Sequence, residues 1–98
     1  MLNSLTHADF QSWLNQKFQI LHSGGALEVE LVSCRVLPSS RRKEAQREPF
    51  SVIFRGPREP LLPQRSYPIA GSVHGTLEIF IVPIGPDDVG MRYEAIFT

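Results

Sequence analysis

The stretch IFIVPIGPDDVGMRYEAIF, residues 79–97, decides how the fold is read. Two apolar runs flank GPDDVG, in which Pro86 pre-sets φ for a turn and Asp87 and Asp88 are turn formers. Gly90 then supplies a left-handed residue before the return run. The alternative is a cation loop. Calcium loops of the helix–loop–helix type need oxygen ligands at alternating positions over about twelve residues, ending in a bidentate glutamate. Here two adjacent carboxylates diverge and no third ligand is near. The spacing predicts a β-hairpin with its turn at 85–90 and no metal.

Working upstream, TLEIFIVPI (76–84) and MRYEAIF (91–97) form the two arms of that hairpin. PFSVIFR (49–55) alternates with Phe50, Val52 and Phe54 on one side. RSYPIAG (65–71) reads as a short edge strand, because Pro68 cannot donate to a ladder. In ALEVELVSCRV (26–36), Leu27, Val29 and Leu31 share one face; past Val32 the phase inverts, which predicts a bulge. FQIL (18–21) is a strand candidate followed by the turn residues HSGG. GPREPLLPQ (56–64), with three prolines, is a stiff extended connection.

Only the N-terminal part changes period. Phe10, Trp13, Leu14 and Phe18 recur at helical spacing, and Thr6 with Asp9 resembles a capping box in which Asp is a weaker third member than Glu, so a helix is expected over about residues 6–16. Three turns alone are marginal in water, so Trp13 must dock on the sheet. The chain is therefore expected to be mainly β (α+β). It forms a small curved antiparallel sheet or barrel of about six strands, with one N-terminal helix closing an open end.

With 98 residues the chain is one domain, 1–98, and with 42% hydrophobic and 20% charged residues it is globular. The single cysteine, Cys34, cannot form an internal disulfide, and its strand phase marks it as a buried, inert thiol. No apolar run approaches the roughly 20 residues that span a bilayer. MLNSLTHADF lacks a basic patch followed by an apolar stretch, so a cytoplasmic location and no membrane partner are expected. His7, His22 and His74 show no metal-ligand spacing, and no serine sits in a strand–turn–helix elbow. Neither catalytic residues nor a cofactor are expected.

Charge is unevenly placed although the net charge is zero: residues 35–65 hold eight basic residues against three acidic ones. The core of this bias is SSRRKEAQRE (39–48), a polar loop in which Arg41, Arg42, Lys43 and Arg47 are the candidate partner-binding residues. A protein partner, or self-association with the acidic residues Glu28, Glu30, Glu78 and Glu94 of another copy, is the expected use of this loop. Nucleic acid is the alternative partner. Glu44 and Glu48 interrupt the loop, and no aromatic is interleaved to stack bases, which argues against it.

PFSVIFRGP, PLLPQRSYPI, HGTLEIFIVPIGPD and GMRYEAIF, in that order, resemble a family of short uncharacterised bacterial proteins, and LTHADFQSWLNQKF is similar to theirs. Members of that family are often encoded near phage-tail-collar-like proteins, which implies an accessory or assembly role. The shared positions are turn glycines, prolines and apolar strand residues, so the resemblance brings no catalytic residue with it. The expected function is a non-enzymatic protein interaction or assembly module. A small-barrel nucleic-acid binder ranks second and a small-ligand-binding barrel third, because a barrel of this size fills its interior with side chains.

Overall fold

The computed structural model describes residues 5–37, 49–71 and 75–97. A short helix, α1 (His7–Gln11), precedes β1 (Lys17–His22), β2 (Gly25–Val36), β3 (Phe50–Gly56), β4 (Arg65–Gly71), β5 (Gly75–Pro86) and β6 (Met91–Phe97). All pairings are antiparallel and the sheet closes into a barrel in the order β1-β2-β3-β6-β5-β4. Closure removes both free edges, and the alternating residues of every strand then divide cleanly between inside and outside. Phe18 and Ile20 of β1, Leu27, Val29 and Leu31 of β2, Phe50, Val52 and Phe54 of β3, and Tyr93, Ala95 and Phe97 of β6 are buried. These side chains form one continuous core with Tyr67, Ile69, Ile79 and Ile81 of β4 and β5.

The register slips where the sequence changes phase. Pairing of β2 with β3 shifts between Leu31 and Ser33, so Val32 is the extra residue of a bulge, at the predicted position. A second shift on β5, between Pro83 and Gly85, has no such signature in the pattern of apolar residues. There Gly85 takes φ 102°, a conformation that glycine tolerates and other residues avoid. The left-handed role expected of Gly90 thus belongs to Gly85. Gly90 is needed for a different reason, namely that a Cβ there would overlap the backbone carbonyl of Gly56.

Both mouths of the barrel are stoppered. At the Phe50/Phe97 end, Phe10 of α1 packs against both rings (centroids 5.7 and 5.1 Å), which stack on each other at 4.9 Å. Trp13 meets Phe10 edge-on at 5.0 Å and is 9% exposed, so it is docked as its spacing predicted. The helix is shorter than expected. Its capping box is intact, with Thr6 N–H donating to Asp9 Oδ2 (2.9 Å) and Asp9 N–H to Thr6 Oγ1 (3.3 Å). After Gln11, however, the bonds become i→i+3, and Asn15 turns to φ 71°. That turn lets Asn15 N–H donate to Leu31 O (2.7 Å) and Leu31 N–H donate to Gln16 O (3.1 Å), which joins the chain to the sheet before β1 begins.

The proline-rich connection stoppers the other end. Leu62 is buried, its N–H donates to Tyr93 Oη (3.1 Å), and Tyr67 Oη–H donates to Pro63 O (2.7 Å). Among the described residues no helix is long and apolar enough to cross a membrane.

Candidate functional site

The barrel is weakest where it closes. β4 pairs with β5 at seven positions, but it meets β1 only at Gln19↔Ala70 and Ile20↔Ile69. The expectation of an edge strand is therefore corrected: β4 has neighbours on both sides, and only its contact with β1 is short. Proline chemistry explains the shortness. The two-residue turn Ser23–Gly24 closes the β1–β2 hairpin at His22↔Gly25. Such a closing pair is hydrogen-bonded, so alternate residues of β1, among them Gln19 and Leu21, turn their backbone groups toward β4. On β4 the matching residues are Ala70, Pro68 and Ser66. The next hydrogen-bonded pair would join Leu21 to Pro68, and Pro68 has no N–H. There the ladder stops.

Beyond that point the strands part around a cleft of about 360 Å³ lined by Leu21 to Ser23 and by Arg65 to Pro68. Leu21 is 38% exposed, and Phe80, the cross-strand partner of Ser66, is 50% exposed. Arg65 supplies the charge of the cleft and lies over the Tyr67 ring at 5.8 Å. Burial pushes the Tyr67 hydroxyl above its ordinary pKa, with Arg65 acting in the opposite direction. Among the described residues, Arg65 has no carboxylate partner.

A second polar centre surrounds the β5–β6 turn. Asp87 Oδ1 accepts from the N–H groups of Val89 (2.8 Å) and Gly90 (2.9 Å), and Oδ2 accepts from Arg55 (3.0 Å). Arg58 donates to the carbonyl of the same residue (2.6 Å). The two backbone amides, and after them Arg55, hold the Asp87 carboxyl down at about 2. Both carboxylate oxygens are engaged, and Asp88 is exposed beside them. The turn reading of GPDDVG stands.

The sequence-predicted partner-binding residues Arg41, Arg42, Lys43 and Arg47 lie outside the described residues. The acidic residues proposed to receive them do not form one patch. Glu28 and Glu30 are on β2, and Glu30 is set between Lys17 and Arg55 in register. Glu94 is on β6, while Glu78 is on β5, across the barrel from β2. Cys34 is half-buried, burial raises its thiol pKa, and its Sγ approaches His7 O at 3.6 Å. His7 opens α1 and His22 ends β1. Among the described residues, no three His, Cys, Asp or Glu side chains gather as a metal site.

Sequence reasoning missed the cleft, although its signal was in view. A proline inside a strand pattern marks a break in one ladder, and the remaining step was to see which neighbour that ladder faced.

A family model described as a domain of unknown function, DUF6916, matches residues 5–97. No curated protein and no solved structure matches the chain.

Proposed function

The chain belongs to the DUF6916 family, and from that premise, which brings no activity with it, we propose that it is a non-enzymatic protein-interaction module. The observation that carries this reading is the open β1–β4 seam. Past Ile20↔Ile69 the two strands have no further ladder pairs, and Leu21 is exposed in the cleft, on a barrel whose interior is filled by its own core. Backbone groups without partners in a sheet are a ready template for another chain. An accessory role in a phage-tail-like bacterial assembly is the setting that the resemblance of its motifs implies, and a cytoplasmic location is the reading taken from its N-terminal sequence.

The test is co-purification of the tagged chain from its native source, followed by a binding isotherm with the purified partner. A saturable complex supports the reading. It falls if no protein co-purifies above a tag-only control and light scattering shows a monomer at millimolar concentration and low salt.

A further inference from the structure

We infer that the β1–β4 seam docks an extended peptide segment of a protein partner, which adds its backbone to the free stretch of β4 and presents a carboxylate to Arg65. This rests on the interaction-module reading and names the chemistry of the partner.

The backbone argues for an extended occupant. Continuing the observed register past Ile20↔Ile69 sets Leu21 against Pro68, and His22 and Ser23 against Tyr67 and Ser66. Leu21 N–H still reaches Pro68 O in closing the Ile20↔Ile69 pair, whereas the N–H and C=O of Ser66 and the C=O of Leu21 then face the cleft without a ladder partner. Donors and acceptors spaced along a strand, rather than converging on a point, suit a second strand better than a compact ligand. A volume of about 360 Å³ is at the small end of ligand sites, suited to a few residues of a chain.

The side chains argue for the composition of that strand. Leu21 offers apolar surface in the cleft, and Phe80, exposed on β5 opposite Ser66, adds more one strand further away. Arg65 is held over the Tyr67 ring, without a carboxylate among the described residues. Tyr67 is in turn tied through its hydroxyl to Pro63, so the cation is presented on a fixed base. An occupant with a β-branched or aromatic residue beside an acidic one satisfies both. A second copy of this chain docked about a two-fold axis would bring another Arg65 into the same cleft, where like charges repel.

The probe is a capped pentapeptide of alternating valine and threonine with glutamate at its centre, titrated into the ¹⁵N-labelled full chain. Saturable shifts are expected at the amides of Leu21, His22, Arg65, Ser66 and Tyr67. Exchanging the central glutamate for glutamine weakens binding about three- to fivefold, the scale of an exposed ion pair. Arg65→Gln binds the two peptides equally. N-methylation of the peptide amides that face β4, which leaves the protein untouched, lowers affinity about three- to tenfold through the backbone bond lost to Ser66 O.

Absence of binding at millimolar peptide overturns the proposal. So does an N-methylated peptide that binds as tightly as its parent, or a set of shifts that avoids the seam. Concentration-dependent shifts at the same amides without peptide would assign the seam to a second copy and overturn it as well. A native partner whose affinity is unchanged by both Arg65→Gln and Ser66→Pro removes the seam and leaves the interaction-module reading standing. Failure to find any partner, with peptide binding intact, removes the broader reading alone.

Discussion

At Gly90 the space that a side chain would need is taken by the carbonyl of Gly56, and a backbone atom locked in the β3–β6 ladder cannot step aside. Gly90→Ala is expected to cost about 1–3 kcal/mol in urea denaturation, as overpacking does. Ser51 has the opposite defect. Its Oγ is buried without a hydrogen-bond partner among the described residues, so Ser51→Ala should raise stability by up to about 1 kcal/mol in the same measurement. Asp87 and Asp88 look alike in the sequence, but only Asp87 is bonded on both oxygens. Its folded pKa of about 2 lies below the ordinary 3.8, so folding favours the charged form. That contribution is complete above about pH 4 and is lost as pH falls through about 2. Acid titration of unfolding should show this loss in the native chain, and Asp87→Asn should remove the component. A variant that keeps the full slope would show that another carboxylate is responsible.

At the scale of the element, α1 shows how a short helix survives. Five residues cannot nucleate by propensity alone. The capping box satisfies its first turn, and Phe10 and Trp13 fix it across the mouth of the barrel. Trp13→Ala is therefore expected to cost roughly 3–5 kcal/mol, much of the stability of a domain this small. Thermal melting followed by circular dichroism measures it; an unchanged melting temperature would mean that the indole is not part of the core. The helical period of Phe10, Trp13, Leu14 and Phe18 extends beyond the helix itself, because successive i→i+3 turns hold Trp13 beside Phe10 as a helix would. The β5–β6 hairpin is likewise an element with an expected property. With Oδ1 bonded to two amides and Oδ2 to Arg55, millimolar calcium should leave its melting temperature unchanged.

On the scale of the whole molecule, the barrel is closed by five ladders of four to seven pairs and one of two. Pro68→Val restores an N–H aimed at Leu21 O and should extend the β1–β4 ladder by one pair. A gain of about 1 kcal/mol is expected, together with a new slowly exchanging amide at position 68 and weaker peptide docking. If the new amide exchanges as freely as a loop, the seam is held open by something other than the missing donor. Much of this architecture was legible in the chain. Period-two runs identified six strands, the inverted phase at Val32 located a bulge, Thr6 and Asp9 marked the helix start, and GPDDVG marked the final turn. These are local signals, set by which side chains alternate and which backbones can turn. The second bulge, the close approach of Gly90 to Gly56, the ion pair of Arg55 with Asp87 and the separation of Glu28 from Glu78 were not legible. Each depends on residues brought together from distant parts of the chain. The cleft combines both kinds of information. Pro68 by itself determined that one ladder would lack a donor, whereas closure of the barrel decided that the missing bond would fall between β1 and β4, since only the pairing of strands far apart in sequence sets which neighbour a backbone N–H must reach.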